Sequence, residues 1–225
     1  MDKLQFSGLP ESIRFVILGS FNPGEPDMQS LSESHADELR QLYSTPKYQR
    51  FSQVRNFYDR PPNRFWGVMD RIHSPILYEK NGHGFKNPDG LKHFKGGDRL
   101  AVLDRQLDFC RTQGIFISDI VTAVSTTDFR GIYNNFSDTL VSKYSKEFNT
   151  DYLLDVLGAN KTARLLLNVR ESSSTPMINQ HLARLRAAAS GRCKEMPSTS
   201  GAAGRLYKDL VPEWKDALSL PAQFS

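Results

Sequence analysis

The chain has 225 residues, of which 39% are hydrophobic and 11% aromatic, with a formal net charge of +4 and only two cysteines, Cys110 and Cys193. This composition excludes wholesale disorder, a disulfide framework, a Cys-rich zinc site and a four-Cys iron–sulfur cluster. No apolar run approaches the roughly 18 residues of a membrane span, and residues 1–5 carry no secretory apolar segment, so a cytoplasmic protein without membrane contact is expected.

Four short apolar runs read as buried strands: 13–19 (IRFVILG), 115–119 (IFISD, extending into Ile120 and Val121), 163–168 (ARLLLN) and, more weakly, 193–196 (CKEM). Between them, helical spacing of apolar residues covers 29–43, 65–72, 99–113, 137–157, 177–189 and 204–218, the last interrupted or kinked at Pro212. Strand and helix alternate. This predicts one α/β domain over 1–225, a three-layer α/β/α sandwich around a central parallel four-stranded sheet. The glycine-, proline- and lysine-rich stretch 73–98 reads as a loop insertion, and long loops of this kind are often functional.

The mild charge is unevenly spread. Residues 40–71 carry seven basic residues against two acidic ones, a balance of +5, and residues 161–205 carry eight against two, +6. The rest of the chain is then at −7. Two basic segments on an acidic body point to an anionic partner met by part of the surface.

Ligands of open α/β sheets bind beyond the carboxyl ends of the strands, where polar or Gly/Pro-rich stretches follow at 20–24, 122–128, 169–174 and 197–204; candidate chemistry lies in these parts of the chain and in one further segment ahead of the helix 65–72. Gly19-Ser20-Phe21-Asn22-Pro23-Gly24 follows the first strand in a sharp turn that presents the Asn22 amide. Phe57-Tyr58-Asp59-Arg60-Pro61-Pro62-Asn63-Arg64-Phe65-Trp66 interleaves aromatic rings, which stack on bases, with arginines, which bind phosphates. Met196-Pro197-Ser198-Thr199-Ser200-Gly201-Ala202-Ala203-Gly204-Arg205 follows the fourth strand and opens a helix, where hydroxyls and free N–H groups hold anions. Asp119 ends the second strand and Asn168 the third. Taken singly, each segment also fits a structural role: a strand-end turn, an aromatic core anchor, a capped helix start, and a carboxylate that caps a loop.

Together and in this order, the segments resemble the uracil-DNA glycosylase superfamily. The first is similar to the Gly-x-Asn-Pro-Gly signature of the mismatch-specific uracil and thymine branch, with Ser20-Phe21 added before Asn22, a Gly-Ser start like that of the hypoxanthine branch. The second resembles the hypoxanthine branch's tyrosine-rich Pro-x-Asn-x-Phe-Trp segment, and the third a Pro-Ser-x-Ser loop that pinches the DNA backbone. The resemblance spans roughly residues 13–215 and leaves 73–98 without a counterpart.

The resemblance implies a monofunctional DNA glycosylase that flips a deaminated or modified base out of the duplex. It then hydrolyses the N-glycosidic bond to leave an abasic site, with DNA as partner, no metal or organic cofactor and no obligate protein partner. It casts Asn22 as the residue that positions water and Asn63 as a second catalytic asparagine. Phe65, with Phe21 or Tyr58, stacks on the base; Asp119 and Asn168 contact it. Ser198, Thr199 and Ser200, in the loop that begins at Pro197, hold the backbone; Ala202 or Ala203 lies near the wedge position, with Arg205 as the residue that reaches in instead. Where the main uracil branch carries asparagine, Asp119 only accepts hydrogen bonds when ionised. That suits hypoxanthine or a modified cytosine better than plain uracil. The alternatives are attack on modified bases of foreign phage DNA in defence, a non-catalytic nucleic-acid-binding relative, and a hydrolase of free nucleosides, which needs no basic surface.

Overall fold

The computed structural model describes residues 10, 12–21, 32–44, 58, 63–73, 99–125, 143–172, 175–200 and 203–219. In chain order the described elements are β1 (Phe15–Gly19), α1 (Glu33–Ser44), α2 (Phe65–Ile72), α3 (Arg99–Gln113), β2 (Ile115–Asp119), β3 (Val121–Ser125), β4 (Ser145–Phe148), α4 (Thr150–Ala159), β5 (Arg164–Leu167), α5 (Pro176–Ala188), β6 (Cys193–Glu195) and α6 (Tyr207–Ser219). The stretch 74–98, the greater part of the expected insertion, lies outside the described residues, as do Asn22 and Ala202.

The four apolar runs form one parallel sheet in the order β2-β1-β5-β6. β1 is buried along its whole length, as a strand covered on both faces should be. Alternate residues enter two separate clusters, following the two-residue period of a strand. Val16, Leu18, Leu165 and Leu167 pack with Leu153, Val156 and Leu157 of α4 and Leu182 and Leu185 of α5. Phe15, Ile17, Ile115 and Ile117 pack with Phe65, Trp66 and Met69 of α2, Cys110 of α3, and Leu210 and Trp214 of α6. The α/β fold with a parallel four-stranded sheet is therefore present.

Local chemistry sets several boundaries. α3 ends at Gly114, whose φ of +65° favours glycine, and a Cβ there would stand 2.6 Å from the Ser12 carbonyl oxygen. α5 opens with Pro176 in its first turn, where the missing N–H costs nothing. Asn179 closes that start by accepting from Ser172 N–H at 3.1 Å and donating to its carbonyl at 2.8 Å. α6 continues through Pro212. One backbone bond is lost there, but Leu210, Trp214, Ala217 and Leu218 on either side of it are buried, and their packing carries the helix past the proline.

Two expectations are corrected. The span 137–157 is not one helix: Ser145–Phe148 is a strand, and the helix starts at Thr150. Tyr144, Phe148 and Leu153 all pack against one cluster, which imitates a helical stripe across the strand-to-helix junction. The second strand does not extend as one piece through Val121. The sheet ends at Asp119, and Val121–Ser125 pairs antiparallel with β4 in a separate two-stranded sheet. Ile120 and Val121 still donate to the carbonyls of Gly19 and Ser20, both at 2.9 Å, so the two strand exits stay side by side. No helix among the described residues is long and apolar enough to cross a membrane.

Candidate nucleic-acid interface

From β1 the chain passes to β2 on one side, then crosses to β5 on the other. A reversal of this kind opens a crevice beyond the carboxyl ends of the strands, between β1 and β5. The Asn168 N–H donates to the Leu18 carbonyl at 2.8 Å across that gap. Gly19, Asp119, Asn168 and the 196–200 segment stand at or just past strand ends, and Tyr58 and Asn63, from the segment ahead of α2, join them.

Gly19 pairs in register with Asp119 on the neighbouring strand. A Cβ on Gly19 would lie 2.8 Å from the Tyr58 hydroxyl and 3.3 Å from Tyr58 Cε1, and closer still to Asp119 Oδ1. Glycine is required here by the approach of two side chains rather than by backbone conformation. Asp119 is buried, as is the neighbouring Ser118, whose hydroxyl accepts from Asn149 Nδ2 at 2.9 Å. Asp119 is therefore not a cap on an open loop; it stands inside, beside a phenol.

Tyr58 has a φ of 59°, the single non-glycine residue at positive φ among those described. A bulky side chain in that region is strained by about 1–3 kcal/mol and persists where its surroundings hold it. What holds Tyr58 is its ring, packed 4.6 Å from the Phe65 ring at 41°. Burial first, then the charge of Asp119, push the Tyr58 hydroxyl far above the ordinary phenol range. The Asn168 amide lies near enough to pull weakly the other way, although no well-formed hydrogen bond reaches the enclosed hydroxyl.

The expected stacking residues separate. Phe21 packs into the cluster shared with α4 and α5, whereas Phe65 belongs to the opposite one. Phe65 is fully enclosed by Tyr58, Trp66 at 5.0 Å and Trp214 at 5.5 Å. The Phe65 ring, expected as a stacking face, is thus covered by its aromatic neighbours.

Asn63 begins α2. Its Oδ1 accepts from Phe65 N–H at 2.9 Å, satisfying one of the helix's orphan donors. Asn168 also acts inward, donating from Nδ2 to Thr199 Oγ1 at 3.0 Å and accepting from Thr199 N–H at 3.2 Å. Thr199 is fully buried, and its carbonyl accepts from Arg64 N–H at 2.8 Å. Trp214 Nε1 donates to the Pro197 carbonyl at 3.3 Å. Thr199 is thus anchored within the fold, and both ends of the Asn168 amide engage it. Ser198 and Ser200, tied by a 3.3 Å bond from Ser200 N–H to Ser198 Oγ, are the half-exposed hydroxyls of the segment. Arg205, expected at the wedge position, pairs with Glu213 at 3.3 Å.

The basic side chains are mostly spoken for. Arg184 meets Asp151, Arg186 meets Glu171 and Glu195, and Lys194 meets Asp216. Arg164 and Arg192 donate to backbone carbonyls, and Arg71 lies 3.7 Å over the Tyr207 ring. Arg64 differs: its Nε and Nη1 are enclosed and have no acceptor. The sequence places Arg64 within its motif but gives it no task. Among the described residues no group of three His, Cys, Asp or Glu side chains stands close enough to hold a metal ion.

Compared with known proteins, the chain matches no family model and no curated sequence.

Proposed function

We propose that the chain is a monofunctional DNA glycosylase acting on a deaminated or modified base other than plain uracil. The observation that carries this reading is the meeting of Gly19, Asp119 and Tyr58 at the strand-end crevice, beside a loop locked in place through Asn168, Thr199 and Arg64. The order of motifs that resembles the uracil-DNA glycosylase superfamily supports the same reading.

In this reading the loop 197–200 bears on the DNA backbone, and a flipped base enters beside Asp119. Flipping costs a few kcal/mol of lost stacking, which phosphate contacts and a stacking surface offset. Water attacks C1′ of the sugar, the C1′–N bond breaks with its electron pair going to the base, and the proton given up by the water ends on the departing base. A positioned water and fixed dipoles are the protein's contribution, with the water assigned to Asn22. Asn63 contributes by fixing the start of α2, which carries Phe65. An ionised Asp119 accepts N–H from hypoxanthine N1 or a cytosine amino group. It also disfavours a base that departs as an anion and favours one that leaves protonated.

The test is incubation of the purified protein with single- and double-stranded DNA carrying uracil, hypoxanthine, mismatched thymine, and plain or modified cytosine, followed by alkaline cleavage at abasic sites. Abasic product from hypoxanthine or modified cytosine, exceeding that from uracil, is expected. Faster release of uracil than of either removes the assignment of Asp119. No product from any substrate, with DNA still bound, replaces the enzyme by a nucleic-acid-binding module.

A further inference from the structure

We infer that Arg64 is the cation of an oxyanion site, and that its ligand is a backbone phosphate of the nucleic acid strand that lies against the 197–200 loop. The inference rests on the nucleic-acid reading above but not on catalysis.

A guanidinium carries its charge at every working pH, and burying it without an acceptor costs several kcal/mol. Native proteins rarely leave such a group unmet, and an enclosed donor without an acceptor calls for a water, an ion or a ligand. Arg64 Nε and Nη1 are each enclosed without an acceptor, while the residue as a whole is partly exposed. Several other described guanidinium groups are engaged: Arg184, Arg186 and Arg205 meet carboxylates, and Arg164 and Arg192 meet carbonyls. The third nitrogen, Nη2, is not among the enclosed unpartnered atoms. In a planar guanidinium it shares one two-pronged edge with Nε and another with Nη1, so an oxyanion arriving at Nη2 completes either fork after rotation of the group.

The position selects the ligand. The Arg64 backbone is bonded to Thr199, so the guanidinium is tethered to the loop whose Ser198 and Ser200 hydroxyls are half-exposed. The first turn of α2, which Arg64 precedes, holds no acidic residue to compete. A tetrahedral oxyanion with several acceptor oxygens fits a fork plus hydroxyls better than a single carbonyl does. Phosphodiester and free phosphate share that chemistry and are separated by experiment.

Duplex binding is measured by anisotropy across a salt series for the wild type, Arg64→Met and Arg64→Lys. Arg64→Met is expected to bind more weakly and to lower the slope of log K against log salt by about 0.9, the loss of one neutralised phosphate. Arg64→Lys is expected to keep the slope while binding more weakly than the wild type. Because an unmet buried charge stabilises nothing, Arg64→Met without ligand is expected to melt no lower than the wild type. Three results overturn the inference: an unchanged slope and affinity, a large fall in melting temperature that accounts for the lost binding, or stabilisation by inorganic phosphate that needs Arg64 while duplex binding does not. A protein that binds duplex through Arg64 but releases no base keeps this inference and removes the glycosylase. Base release with unchanged salt dependence in Arg64→Met does the reverse.

Discussion

Replacing Gly19 with alanine tests the geometry on which the candidate site depends. The added methyl would stand 2.8 Å from the Tyr58 hydroxyl and 3.3 Å from Cε1, with Asp119 Oδ1 nearer than either. Both neighbours are buried or partly buried, so neither can retreat into water freely. Overpacking of this kind costs about 1–3 kcal/mol, against which the lower chain entropy of alanine returns about 0.4–1 kcal/mol. A net loss of about 1–2 kcal/mol is therefore expected, read by urea denaturation, together with a fall in base release larger than the stability change explains. The decisive measurement is a double-mutant cycle. In an Asp119→Ala background the nearest obstruction is gone, and the cost of Gly19→Ala is expected to shrink by about 1 kcal/mol; Tyr58→Phe, which removes the next, shrinks it less. Neighbours in contact couple by about 0.5–3 kcal/mol, whereas independent sites add. Strict additivity in both backgrounds would falsify the claim that these three side chains share one space.

The same contacts set four further outcomes. Asn63→Ala, which removes the acceptor from Phe65 N–H, is expected to lose about 1 kcal/mol by denaturation; Asn63→Asp keeps an acceptor and most of that stability, so loss of base release in Asn63→Asp alone marks a task for the Asn63 amide beyond capping. Asn168→Ala breaks two bonds to Thr199 and is expected to cost about 1–3 kcal/mol and to weaken duplex binding; unchanged binding would detach the loop from the interface. The Tyr58 hydroxyl is raised above its ordinary pKa by burial and Asp119, so its contribution to stability is complete below pH about 10 and declines as pH rises past that value, when the unfolded chain ionises first; Tyr58→Phe is expected to flatten the alkaline fall in melting temperature. Burial pushes the Cys110 thiol far up and Cys193 up less, so alkylation of the folded protein near neutral pH is expected to be slow and confined to Cys193, and early labelling of Cys110 would contradict its burial.

Much of the fold was legible because a doubly covered strand leaves an unbroken apolar signature. The runs at Phe15–Gly19 and Arg164–Leu167 have it, and the helices between them keep their apolar stripes. β4 was not legible: four residues with one large apolar member, Phe148, carry too little period to outweigh the helical spacing of α4 directly after it. The candidate site was legible as segments and not as contacts. Three of its parts lie at strand ends, which strand boundaries locate, and the one that carries Tyr58 and Asn63 shows in its aromatic and arginine pattern. Its geometry depends on register, and register pairs Gly19 with Asp119 across a hundred residues of chain. The same holds for the bond from Asn168 to Thr199, thirty-one residues apart, which anchors Thr199 within the fold.

Folding redistributes the charge. A balance of +6 over residues 161–205 suggested an open positive field, but folding brings in acids from outside the segment. Asp151, Asp216 and Glu213 neutralise Arg184, Lys194 and Arg205, and Glu171 and Glu195 both fall to Arg186. Exposed pairs of this sort contribute little stability, yet each removes a cation from the set that meets an anion without competition. The guanidinium groups of Arg164 and Arg192 serve carbonyls. A count of basic residues thus measures what a segment can offer before folding, and the folded chain spends most of it internally. What bears on a nucleic acid is the charge that remains unmet. In the described part of the two basic segments, the enclosed and acceptorless guanidinium is that of Arg64, at the start of the helix that carries Phe65 and one bond from the loop that carries Ser198 and Ser200.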